Sequence, residues 1–230
     1  MTAPALILWD VDHTLLEIKG VSREIYARAF HLVTGRPMEQ LADMTGRTER
    51  AIIIETLRLG GITDPEPLMP AFYEALGEAA QQLQDRMRES GRALPGARQA
   101  ITALVAGGIV QSVVTGNLRS IARTKLAAFG LTDHLDLEVG GYGDDDSDRA
   151  VLVRLAVKRS ETAHGVTFPP ERVVVLGDTP HDVKGAHDAG VRAVGVATGS
   201  STARELEATG ADAVLPRLTD ITALRTAVFG

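Results

Sequence analysis

The chain has 230 residues, a formal net charge of −6 and no cysteine. Disulfides, thiolate metal sites and a cysteine nucleophile are thereby excluded, and the lack of a Lys/Arg run argues against a nucleic-acid partner. Hydrophobic residues make up 44%, enough for a sizeable core, yet no stretch approaches the roughly 18 apolar residues of a membrane span.

The beginning of the chain carries no basic segment, and its apolar run meets an acid too early for a secretion signal, so a cytoplasmic protein without membrane partners is expected. Five apolar residues, 5–9, suit a strand buried on both faces. They stop at Asp10-Val11-Asp12-His13-Thr14. In extended backbone Asp10 and Asp12 point to one side, and two acids at the end of a buried strand call for a cation or a shared proton. The pattern suits a nucleophilic carboxylate beside a general acid/base better than the alternative, a strand that simply ends in a polar turn.

Residues 15–94 read as helices without strands. Ser22 can cap a helix to residue 33, Thr48 begins one to residue 59 before Gly60-Gly61, and a long helix covers 71–89. Leu76 and Leu83 are packing positions of that helix. From residue 95 helix and strand alternate. Helices are expected at 96–106, 118–129, 149–163, 183–189, 202–208 and 221–228. Strands are expected at 109–114, 135–139, 173–176, 193–196 and 213–215. Repeated β-α units with continuous apolar strands predict an α/β fold, a doubly wound, Rossmann-like parallel sheet. The all-helical stretch is an insert after the first strand, giving a core of 1–16 and 93–230 and a cap of 17–92.

Ligands of such sheets sit beyond the carboxyl ends of the strands. Unusual polar residues fall at three of those ends: Asp10 and Asp12; Thr115-Gly116-Asn117; and Gly177-Asp178, with Asp182 four residues on.

Taken together, these motifs resemble the haloacid dehalogenase superfamily, most closely its phosphatases, over nearly the whole chain. Asp10-Val11-Asp12-His13-Thr14 is similar to its DxDxT motif, Thr115 to its strand-end Thr or Ser, and Gly177-Asp178-Thr179-Pro180-His181-Asp182 to its GDxxxD motif. The helical insert resembles the small cap of the phosphoglycolate-phosphatase-like subgroup. The resemblance implies that Asp10 forms an aspartyl-phosphate while Asp12 protonates the leaving oxygen and then activates water. It implies magnesium held by the Asp10 carboxylate, the Asp12 backbone carbonyl and Asp178, with Asp182 binding or orienting the ion. Thr115 and nearby backbone N–H groups, including those at Gly116 and Asn117, would hold phosphate oxygens.

Dehalogenases and phosphonate hydrolases of the family lack the second aspartate, so Asp12 argues against both. The mutases keep it. Where the family usually has a lysine, this chain has Arg149, which keeps the charge. Lys158 falls too deep in its helix, and Lys125 is another candidate but reads rather as an exposed helix lysine. The acidic loop 144–148 reads as solvated, with Asp148 a candidate helix cap. His13 and His181 lie inside motifs without an assigned role, and His31, His134, His164 and His187 show no ligand-like grouping. Arg47, in the turn Thr45-Gly46-Arg47-Thr48, either faces a substrate carboxylate or second phosphate, or is a solvated arginine.

The expectation is a magnesium-dependent phosphatase of a small phosphorylated metabolite, acting as monomer or homodimer. Phosphoglycolate-, sugar-phosphate- and nucleotide-like substrates all remain open. A phosphomutase of the same fold and a non-catalytic binding module are the alternatives.

Overall fold

The computed structural model describes residues 5–44 and 47–230. The apolar run becomes strand β1 (Ala5–Trp9), followed by the two-residue β2 (Leu16–Glu17) and four helices, α1 (Val21–Thr34), α2 (Glu49–Leu59), α3 (Met69–Gln82) and α4 (Gln84–Ser90). After β3 (Arg92–Ala93) and α5 (Ala97–Ala103) come β4 (Ile109–Val113), α6 (Arg119–Ala128), α7 (Arg149–His164) and β5 (Val173–Gly177). The chain closes with α8 (Pro180–Asp188), β6 (Arg192–Val196), α9 (Ala203–Ala208), β7 (Ala213–Leu215) and α10 (Ile221–Phe229).

Five strands form one parallel sheet in the order β4-β1-β5-β6-β7. The chain leaves β1 for β4 on one side and then crosses to β5 on the other, so a crevice opens beyond the carboxyl end of β1. Alternation along β1 splits the core into two layers. Ile7 and Trp9 pack with α5, α6 and α10 residues such as Ile101, Leu126 and Leu224. Leu6 and Leu8 pack with Leu152, Val183 and Leu206 of α7, α8 and α9. Trp9, fully buried, donates its indole N–H to Gln111 Oε1 at 3.1 Å, which satisfies its one polar atom.

The helical insert shares the first of these layers. Ile25, Phe72, Leu76 and Leu83 join the same apolar cluster as Trp9 and Leu126, and α3 and α4 lie against α6. No helix among the described residues is long and apolar enough to cross a membrane.

Four expectations need correction. Residues 135–139 form no strand: Asp136 Oδ1 accepts the Glu138 N–H at 3.1 Å, a local turn that competes with strand pairing. Only an isolated bridge, Val114 to Gly141, remains there. The long helix is two, broken at Leu83 (φ −97°, ψ 11°), with Leu83 and Met87 both buried. Helix α1 starts one residue before Ser22, behind Gly20 at φ 75°, a left-handed position that glycine takes without strain. Finally, the insert is not strand-free at its borders: Leu16 and Glu17 pair antiparallel with Ala93 and Arg92.

Candidate active site

Asp10 follows β1 directly, and its N–H is held by the Leu176 carbonyl of β5 at 2.8 Å. Asp178 follows β5. Asp182 lies in the first turn of α8, where Thr179 and Asp182 form a reciprocal cap: Asp182 Oδ2 accepts from the Thr179 N–H (3.1 Å) and hydroxyl (2.7 Å). That cap leaves Asp182 Oδ1 facing inward. Carboxylate oxygens of Asp10, Asp178 and Asp182 all lie within 4.8 Å of one another, and all three residues are buried.

Among the described residues, one cation is paired with them. Arg149, at the start of α7, brings Nη1 to 3.5 Å from Asp10 Oδ1 and Nη2 to 3.2 Å from Asp182 Oδ1. Asp148 caps that helix by accepting the Ala150 N–H at 2.9 Å, which fixes where Arg149 starts. Burial, then repulsion from Asp182, pushes the Asp10 carboxyl well above its ordinary value despite Arg149. The same two causes take Asp178 to about 7. Three buried carboxylates against one guanidinium leave an excess of two negative charges when all are ionised. Hard oxygen donors with that excess fit a divalent cation such as magnesium.

Asp12 stands apart from this cluster. Its carboxylate receives Lys125 Nζ at 2.9 and 2.7 Å and Asn117 Nδ2 at 2.7 Å. Lys125 also donates to Asn117 Oδ1 (2.7 Å), and Asn117 Nδ2 to the Thr115 hydroxyl (2.8 Å). Burial alone would raise Asp12, but the Lys125 charge and the two donors outweigh it and hold the carboxyl below its ordinary value. Lys125 is therefore no exposed helix lysine: it is 3% exposed. Its signal was legible as a charge on the apolar stripe Ile121, Ala122, Lys125 and Leu126 of α6, all buried. Lys158, by contrast, is exposed.

A cavity of about 550 Å³ joins both groups and is walled opposite by Met44, Arg47, Glu49 and Ile52 of the helical insert. The insert sits down on Gly116, whose carbonyl accepts the Glu49 N–H at 2.7 Å. A Cβ at Gly116 would lie 2.2 Å from the Arg47 carbonyl oxygen, so only glycine admits this approach. Thr45 and Gly46, half of the turn read as either substrate-facing or solvated, lie outside the described residues. Arg47 lines the cavity, but its guanidinium is engaged by Glu55 and by the Ala51 carbonyl.

Glu49 and Tyr26 carried no sequence-based role. Glu49 is 4% exposed, and its Oε2 accepts the Tyr26 hydroxyl. Burial is the largest influence on it and lifts its carboxyl to about 7. Its signal too was an acid on a buried helix stripe, with Ile52, Ile53 and Thr56.

His13 lines the cavity in a left-handed conformation (φ 61°), whereas His181 is exposed and lines a separate cleft with Asp148 and Asp188. In the acidic loop, Asp145 pairs with Arg159 at 2.6 and 2.7 Å and Asp144 accepts the Arg119 N–H at 3.0 Å. That loop is bonded structure at those positions.

A model of haloacid dehalogenase-like hydrolases matches residues 7–187. The chain is 26% identical to a phosphoglycolate phosphatase of Nitrosospira multiformis over 82% of this chain and 80% of that one. It is 27% identical to the tyrosine-protein kinase PtkA of Mycobacterium tuberculosis over 92% of this chain and 68% of that one. Among solved structures, a β-phosphoglucomutase from Clostridium difficile superposes with a TM-score of 0.70 at 13% identity, covering 99% of this chain and 97% of that one.

Proposed function

The chain belongs to the haloacid dehalogenase-like hydrolase family, and from that premise we propose that it is a magnesium-dependent phosphatase acting on a small phosphorylated metabolite through an aspartyl-phosphate. The observation that carries this reading is the separation of two carboxylates two residues apart. Asp10 sits with Asp178, Asp182 and Arg149, whereas Asp12 is held by Lys125 and Asn117. Two acids in opposite environments are suited to two roles.

Asp10 attacks phosphorus and the bond to the leaving oxygen breaks; Asp12, ionised at rest, takes up the proton that a monoanionic phosphate ester brings and passes it to that oxygen. Asp12 is then ionised, the state Lys125 favours, and takes a proton from the water that displaces the phosphate from Asp10. Arg149 and the Thr115 hydroxyl hold phosphate oxygens. Asp10, Asp178 and Asp182, with the Asp12 backbone carbonyl, would hold magnesium, which supplies charge neutralisation for the phosphate and the attacking carboxylate. The 17–92 insert acts as a cap that excludes water from the acyl phosphate.

The test is phosphate release from a panel of phosphorylated metabolites with magnesium or with EDTA, for the wild type and Asp10→Asn. Release that needs the metal and falls by at least about a thousandfold in the variant is expected. Release that survives in Asp10→Asn would overturn the nucleophile assignment.

A further inference from the structure

The cavity wall facing the catalytic groups is poor in cations for a second anionic group. Among the described residues lining it, Lys125 is engaged by Asp12, Arg149 by Asp10 and Asp182, and Arg47 by Glu55. Lys19 is exposed at the mouth, 3.7 Å from Glu17. What the insert does present is a buried acid, Glu49, flanked by the apolar Ile52. Tyr26 donates to Oε2, which fixes the carboxyl and leaves Oε1 to accept from a ligand. Above pH 7, where Glu49 is ionised, a carboxylate brought against this wall would meet a like charge in a desolvated place, a costly encounter. A hydroxyl or an ammonium would instead complete a charge-assisted hydrogen bond. At about 550 Å³ the cavity also has room for a leaving group larger than two carbons.

We propose that Glu49, braced by Tyr26, determines specificity by accepting a hydrogen bond from a hydroxyl or ammonium on the leaving group. The enzyme thereby selects phosphate monoesters of polyols or amino alcohols over esters that carry a carboxylate. This inference rests on the phosphatase reading above. It also separates this chain from the substrate in the name of its Nitrosospira relative.

The experiment compares kcat/KM for glycerol 3-phosphate, phosphoethanolamine and 2-phosphoglycolate, with p-nitrophenyl phosphate as a generic reporter of turnover, in wild type, Glu49→Gln and Tyr26→Phe. The wild type is expected to prefer the better of the hydroxyl and ammonium esters over 2-phosphoglycolate by about tenfold or more. Which of the two leads distinguishes the donors. Glu49→Gln is expected to bring that ratio near unity, and Tyr26→Phe to lower it in part. Because the ratio is taken within each variant, a reduced folded fraction cancels. A wild-type preference for 2-phosphoglycolate, or a ratio unchanged within about twofold in Glu49→Gln, would overturn the proposal while turnover of p-nitrophenyl phosphate leaves the phosphatase reading standing. No release from any ester, p-nitrophenyl phosphate included, would overturn both.

Discussion

Lys125 and Glu49 occupy equivalent places on different helices: each is a charged residue on a stripe that its neighbours bury. A buried charge survives only with partners, and each has one, Asp12 for Lys125 and Tyr26 for Glu49. Replacing Lys125 by Met keeps the stem and removes the charge. Asp12 then loses its main compensation, its carboxyl rises, and kcat is expected to fall about a hundredfold with the pH–rate profile displaced upward. A stopped assay across pH checks this. Glu49 carries a second consequence. Its carboxyl ordinarily titrates near 4.5 and here near 7, so between those values the folded protein holds a proton that the unfolded chain releases. Stability therefore falls as pH rises from 4.5 to 7 and is level above, a loss on the order of 3 kcal/mol. Glu49→Gln, lacking the titration, is expected to gain in Tm relative to wild type between pH 5 and pH 8, as read by thermal melts. In sequence Lys125 reads as exposed and Glu49 carries no role for one physical cause: a lone charge on a helix is ordinarily solvated, and only the stripe it falls on says otherwise. Asp10, Asp12, Thr115, Asp178 and Asp182 were legible because each stands where an apolar strand stops or a helix begins nearby.

Elements decide how the two halves of the site meet. The start of α2 reaches Gly116 through one backbone hydrogen bond, with no space for a Cβ between them. Gly116→Ala is expected to leave the sheet intact while keeping the insert from seating, so Tm changes little and kcat/KM falls by roughly tenfold to a hundredfold. Melting curves beside steady-state kinetics distinguish this from general unfolding. The elements the sequence misassigned are those in which a side chain overrides periodicity. Leu135, Leu137 and Val139 alternate as a strand would, yet Asp136 turns the chain locally. The ribbon of β2 and β3 is two residues long on each side, too short to leave a pattern.

For the molecule as a whole, charge is the governing quantity. The chain is net negative, with formal charge −6, and three of its acids are buried at one point. Asp178 near 7 in place of 3.8 means that the fold without a cation takes up protons there. Magnesium can replace those protons, and it competes best when they are absent. Added magnesium is thus expected to raise Tm more at pH 8 than at pH 5.5, and EDTA to reverse it. An equal shift at both values would separate the metal from this cluster. The parallel sheet, its two apolar layers and the position of the helical insert follow from strand hydrophobicity and order, which a linear chain displays openly. How far the insert shares the core is a property of packing between distant segments, such as Phe72 and Leu126.

The chain contains one tryptophan, and it is Trp9, dry and bonded to Gln111 one residue before Asp10. Its ultraviolet emission consequently arises from a single indole next to the proposed nucleophile. Loading and discharge of the neighbouring carboxylate are expected to modulate that light in a rapid-mixing experiment. With no cysteine in the chain, a single introduced thiol on the insert can carry an acceptor dye at one defined place, turning the native protein into its own optical gauge of closure.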